Sequence, residues 1–273
     1  MQLDFPRQLN FIDQPPLELT RRQLVSGLAA GTIVALSGCV QNPALGRQQL
    51  ILVSEGQLAQ LSVSAWNQVK KKEKISRNKT LNRRVRTVGS RIVSAAGLGG
   101  QNWEYVVFDS KQANAFVMPG GKVGVFSGIM KRMENDDQLA TVLGHEVGHV
   151  TARHSAERYS QQLAAGVGMT AAAAALEAGD VRGARDIAAI LGAGVTFGVL
   201  LPYSRQHELE ADRLGLTYMA RANYDPRQSV RFWQNMTANR KGAPPPELMS
   251  THPSDATRIA ALRRQLAVMG YQA

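Results

Sequence analysis

Two histidines one helical turn apart, in His145-Glu146-Val147-Gly148-His149, constrain this 273-residue chain more than any other feature. Asn135, Asp136 and Asp137 stand ahead of them and supply an N-cap and an acidic first turn, so the segment reads as a helix. Residues four apart on a helix project from one face, which puts both imidazoles where a single metal ion bridges them. Glu146 is rotated by about 100° from His145. It therefore stands beside such a metal and not on it, where its carboxylate can take a proton from a water that the metal activates. The chain has five histidines, and a chance match to this spacing is expected in about one such chain in a hundred.

A hydrolytic zinc site needs a third protein ligand and an open position, so a second element must reach this helix. A third histidine following the H-E-x-x-H-x-x-G-x-x-H pattern is excluded, because Ala152 and Ser155 stand at the required Gly and His. His154, five residues past His149, is rotated off the ligand face and is expected behind the site or on the surface. In Ser204-Arg205-Gln206-His207-Glu208-Leu209-Glu210-Ala211-Asp212, Glu208 and Asp212 share a helix face and Glu210 points the other way. Glu208 is read as the third ligand and Asp212 as the carboxylate that orients a ligating histidine. Spacing alone fits an exposed charged helix equally well.

The remainder of the chain bounds its class. A hydrophobic content of 44% with 19% charged residues indicates a globular chain, and abundant Ala and Gly favour helices packed closely through small side chains. The net charge of +11 raises nucleic acid as a partner, but no zinc-finger spacing, P-loop or aromatic-studded basic strand accompanies it, so none is expected. The densest basic stretch, Lys70 to Arg91, carries Leu81, Val85, Val88 and Ile92 at helical spacing and reads as a solvated helix face.

The one cysteine excludes an internal disulfide, and its position is informative. Arg21 and Arg22 precede the short apolar run Leu24 to Leu36, which ends in Leu36-Ser37-Gly38-Cys39. That order describes a secretory signal, and Cys39 after the cut resembles the lipobox of bacterial lipoproteins, whose thiol is acylated. Thr20-Arg21-Arg22-Gln23-Leu24 also resembles a twin-arginine export signal, although Leu24 stands where that pattern prefers Phe. Residues 1–38 are expected to be a lipoprotein signal peptide, 39–54 a lipid-anchored tether and 55–273 the catalytic domain.

Periodicity predicts helices over roughly 56–74 and 80–96, then a strand from Trp103 to Asp109. Ala115–Met118 and Lys122–Phe126 flank Pro119-Gly120-Gly121 as strand, turn and strand. Beyond this small sheet the chain reads as helical, with a break at Gly179-Asp180. Its apolar stretch 187–201 is shorter than the roughly 20 residues that span a membrane and reads as a packed or lid-like helix. Helices are expected from Ser204 to Ala222, Pro226 to Arg240 and Asp255 to Val268. No repeat near 34 residues follows the catalytic region, so no solenoid appendage is expected. The fold class is α+β, predominantly helical.

Four segments, HEVGHVTARH (145–154), YSRQHELEAD (203–212), NAFVMPGG (114–121) and STHPSDATRI (250–259), together resemble the HtpX- and Ste24-like zinc metallopeptidases of the gluzincin clan. The nearest subgroup is that of bacterial periplasmic lipoproteins of the BepA and LoiP kind, over residue 43 to the C-terminus. The resemblance implies a zincin-like domain, one Zn²⁺ held by His145, His149 and Glu208, and Glu146 as base. It also implies endoproteolysis of unfolded or misassembled envelope and outer-membrane proteins, at the periplasmic face of the outer membrane. Unlike HtpX and Ste24 relatives, the chain shows no apolar run long enough to be a transmembrane helix. A Thr-His-Pro segment recurs near the zinc in similar peptidases, so His252 is expected either to plug the open coordination position or to stabilise the oxyanion. Asn114, Ala115 and Phe116 are expected to offer a strand edge to an extended substrate. The alternative is a lipid-anchored chaperone or assembly factor with a structural zinc, for which an intact Glu146 has no use.

Overall fold

The structure is a computed structural model that describes residues 39–165, 203–238, 248, 252 and 256–272. The export segment 1–38, the Gly179-Asp180 break, the apolar stretch 187–201 and the cap expected at Ser254 or Asp255 lie outside the described residues.

The described residues open with an antiparallel hairpin, β1 (Cys39–Asn42) and β2 (Arg47–Leu50), where a tether was expected. These strands lack alternating apolar residues, and polar side chains secure them instead. The Asn42 side chain donates to Gln49 Oε1 at 2.9 Å, and Gln49 donates to the Ala152 carbonyl at 2.8 Å. Both side chains are buried. Tethers are inferred from missing apolar periodicity, which is blind to a segment held by such bonds.

Two helices follow, α1 (Glu55–Lys72) and α2 (Lys79–Ala95). A capping box between Ser54 and Gln57 starts the first, and Asn78 accepts from Thr80 and Leu81 to start the second. A three-stranded sheet comes next: β3 (Glu104–Phe108), β4 (Ala115–Met118) and β5 (Lys122–Phe126), in the order β3-β5-β4. β5 runs parallel to β3 and antiparallel to β4. Gly120 and Gly121 take φ of 80° and 74° in the turn between β4 and β5, a region that side chains disfavour.

Alternation along the strands divides the core. Val107, Val125 and Ala115 join Val85, Val88 and Ile92 of α2 in the main core. Phe108 and Phe126 meet Trp66 of α1, with Phe116 packed against them, on the other face. The Phe108 and Phe126 centroids are 5.3 Å apart, and Trp66 meets Phe108 edge-on at 5.9 Å.

The two motif histidines lie on α4 (Asp136–Thr151), reached through a one-turn helix α3 (Ser127–Met130). Asn135 caps α4 by accepting from Gln138. Leu139, Leu143 and Val147 are buried on one side of α4, and His145, Glu146 and His149 are buried as well. Left-handed Arg153, with φ 55°, ends this run, and helix resumes over 154–165. α5 (Arg205–Arg221), α6 (Gln228–Ala238) and α7 (Ala256–Val268) close the core, so the fold is α+β and mostly helical. No helix among the described residues is long and apolar enough to cross a membrane.

Candidate metal centre

α4 and α5 approach through small residues. A Cβ on Gly148 would stand 2.6 Å from the Ala211 carbonyl oxygen, and one on Gly215 would stand 2.9 Å from the Gly144 carbonyl carbon. This contact carries Glu208 and Asp212 of α5 to the histidines of α4. Ligand atoms of His145, His149, Glu208 and His252, all buried, lie within 4.8 Å of one another.

His145 Nε2 and His149 Nε2 are 3.1 Å apart, and both face Glu208, at 3.4 and 3.3 Å. Two imidazole nitrogens that close, turned on one carboxylate, could hold a divalent metal. His252 completes the group: its Nδ1 is 3.1 Å from His145 Nε2 and 3.0 Å from Glu208 Oε1. Its Nε2 lies 3.3 Å from Glu146 Oε1, a buried atom that accepts no hydrogen bond among the described residues. Glu146 thus stands beside the donor set, as its rotation on the helix requires.

Asp212 faces the far side of His145, with Oδ1 2.8 Å from Nδ1. That contact turns His145 Nε2 to the centre. Arg258, which sequence reasoning did not single out, lies buried behind both acids. Its Nε and Nη2 donate to Asp212 at 2.6 and 2.8 Å, and its Nη1 reaches Glu208 Oε2 at 2.8 Å. The guanidinium lies 4.0 Å from the Trp233 ring centroid. Its only signal in the sequence was its place within STHPSDATRI. Tyr203 was also missed. Its ring stacks on His149 at 4.1 Å and on His252 at 5.5 Å, and its hydroxyl meets Ser155 Oγ at 3.1 Å.

Charge at the centre is strongly coupled. Burial opposes ionisation of Glu208 and Asp212, but His145 and Arg258 outweigh it for Glu208, and chiefly Arg258 for Asp212, so both stay below the usual carboxylate range. Burial and Arg258 oppose protonation of His145, yet Glu208 and Asp212 bring its pKa up to about 9. Burial holds His149 well below the ordinary histidine value, against its hydrogen bond to Glu208.

His154 is fully buried behind His149, with the two Nδ1 atoms 2.8 Å apart, and its Nε2 meets Glu210 at 3.0 Å. Glu210 does point away from His145, His149, Glu208 and His252, as its place on the helix predicts. Of the expected substrate strand, Ala115 faces the main core and Phe116 packs in the aromatic cluster. β4 has β5 on one side only among the described residues. Phe126 N–H donates to the Asn114 carbonyl at 3.0 Å. By antiparallel alternation Asn114 and Phe116 turn their backbone groups to β5, and Ala115 and Val117 turn theirs outward. Of the three expected strand residues, Ala115 alone turns its backbone groups to the side away from β5. Cys39 is exposed at the start of β1.

Residues 79–266 match the family described as Peptidase family M48. The chain is 39% identical over 183 residues to the mitochondrial metalloendopeptidase OMA1 of Schizosaccharomyces pombe, covering 67% of this chain and 52% of that one. It is 33% identical to the OMA1 metalloendopeptidase of Bos taurus, covering 82% and 45%. It is 28% identical to the beta-barrel assembly-enhancing protease of Escherichia coli K12, covering 89% and 53%. The chain thus spans about half the length of these curated relatives.

Proposed function

Since the chain belongs to peptidase family M48, we propose that it is a zinc-dependent metalloendopeptidase, with His145, His149 and Glu208 as ligands and Glu146 as general base. The observation that carries this reading is the convergence of three buried ligands from two helices, with the Glu146 carboxylate beside them and its Oε1 accepting no hydrogen bond among the described residues. Zinc, when bound, supplies Lewis-acid polarisation and a water acidified to a pKa of about 7. Glu146 takes the proton from the attacking water and delivers it to the leaving amine nitrogen. Asp212 holds His145 in one tautomer and one orientation. His252, with Nδ1 among the ligand atoms, would join the set that holds the metal at rest. On substrate entry it moves aside to donate to the developing oxyanion.

The substrate lies along β4 in extended form, bonded to the outward backbone groups of Ala115 and Val117. Recognition through backbone suits unfolded or misassembled proteins of broad sequence. Residues 21–39 support export and acylation at Cys39, placing the chain on the periplasmic face of the outer membrane with envelope proteins as substrates. One relative is named a beta-barrel assembly-enhancing protease, which suits β-barrel proteins as substrates, whereas the OMA1 relatives are named mitochondrial.

The test is casein cleavage by the purified chain with and without a chelator, alongside zinc analysis. We expect about one zinc per chain and chelator-sensitive cleavage. Glu146→Gln is expected to keep the zinc and lose at least about 10²-fold in rate. Cleavage that survives both the chelator and Glu146→Gln would sink the proposal.

A further inference from the structure

A second group of ionisable side chains lies behind the centre: His154, Glu157 and His207 are buried, with ligand atoms within 4.8 Å of one another. Most of its atoms are already engaged, and only His207 Nδ1 has no hydrogen-bond partner among the described residues. Arg47 of β2 places Nη1 and Nη2 on Glu157 at 2.7 and 2.9 Å, and Nε and Nη2 on Glu210 at 2.7 and 2.8 Å. Gln49 donates to Glu157 at 2.6 Å, and His207 Nε2 lies 3.2 Å from it. The guanidinium supplies the positive charge between Glu157 and Glu210. These bonds make the cluster a hydrogen-bonded assembly.

Its proton inventory runs in one direction. A His149 that turns Nε2 to a metal must carry its hydrogen on Nδ1, which then donates to His154 Nδ1 across 2.8 Å. His154 is left with its hydrogen on Nε2, which donates to Glu210 across 3.0 Å. Glu210 is held in turn by Arg47, a permanent charge. Each link has one donor and one acceptor. His145 has Asp212 behind it, and His149 has this chain of three.

We propose that Arg47 and His154 are positioning residues for His149, so that the amino-terminal hairpin orients a metal ligand through Arg47, Glu210 and His154. This rests on the zinc reading of the first centre. The hairpin reinforces the link by binding the end of α4 itself, since Asn42 and Gln49 donate to the carbonyls of Thr151 and Ala152. β1 begins at Cys39, so whatever fixes that residue is joined to His149 by a short run of bonds.

The experiment is zinc affinity by competition with a chromophoric chelator on the full chain, with visible spectra of the cobalt-loaded protein as a report on ligand geometry. Arg47→Ala, Glu210→Gln and His154→Phe are each expected to lower zinc affinity by about 10–100-fold and to shift the cobalt bands. Arg47→Lys, which cannot bridge two carboxylates with paired bonds, restores only part. In the His154→Phe background, Arg47→Ala is expected to cost nothing further, because its route to His149 is already cut. His154→Ala, which also removes the acceptor for His149, serves if the phenylalanine variant fails to fold. An equal loss from Arg47→Ala in both backgrounds, unchanged affinity in the single variants, or two zinc ions per wild-type chain would overturn the inference. A wild-type chain that binds no metal would overturn the peptidase reading as well, whereas metal binding with silent variants overturns this inference alone.

Discussion

Gly148 and Ala211 meet so closely that a Cβ on the glycine would lie 2.6 Å from the carbonyl oxygen of Ala211. Gly148 stands between Glu146 and His149 on α4, and Ala211 between Glu208 and Asp212 on α5, so this contact, with that of Gly144 and Gly215, sets the distance between the two halves of the candidate centre. Gly148→Ala is expected to separate the helices by several tenths of an ångström. The chain should fold with reduced stability and lose about tenfold or more in zinc affinity, as for other disturbed ligand geometries. Wild-type affinity in that variant would show that the contact does not govern the site.

Arg258 neutralises two buried acids at once, Asp212 and Glu208. Arg258→Met leaves them without that partner, which in the zinc-free chain should cost about 3–5 kcal/mol. The loss should be smaller in the zinc-loaded chain, where the metal ion supplies positive charge. Denaturant unfolding with and without zinc measures both, and equal losses would contradict this role.

His252 touches Glu208, His145 and Glu146, and its two proposed duties pull a mutant in opposite directions. His252→Ala, assayed on unfolded protein, gains activity if the plug dominates. If oxyanion stabilisation dominates it loses about 10²–10³-fold at unchanged zinc content. A wild-type rate together with wild-type inhibitor binding would remove His252 from the active site.

Glu157 links pH to the hairpin. Burial opposes its ionisation, but His207, Arg47 and Gln49 outweigh this and bring its pKa down to about 2 from 4.5. A carboxylate lowered on folding contributes stability that is complete above 4.5 and is lost as the pH falls through about 2. In chelator-treated protein, Glu157→Gln should therefore cost about 3 kcal/mol at pH 7, narrowing towards zero near pH 2. A gap that does not change with pH would mean that the ion pairs contribute nothing.

What the sequence determined by itself lies within single elements. The rise and turn of a helix place His145, Glu146 and His149 relative to one another before anything packs, and they place Glu208 opposite Glu210 on α5. Alternation likewise assigns Phe116 and Ala115 to opposite faces of β4. Family resemblance, not spacing, brought Glu208 to His145 across more than sixty intervening residues. The tertiary structure supplies the physical means, the small-residue contact of Gly144 and Gly148 with Ala211 and Gly215. Three features were decided only by tertiary structure: Arg258 behind Asp212, Tyr203 stacked on His149, and the hairpin whose Arg47 reaches Glu210. None of them has a period. Each is a polar or aromatic side chain whose partner is distant in sequence and close in space. The energy of such a contact depends on burial and on distances of a few ångströms, which the order of residues along one element does not encode.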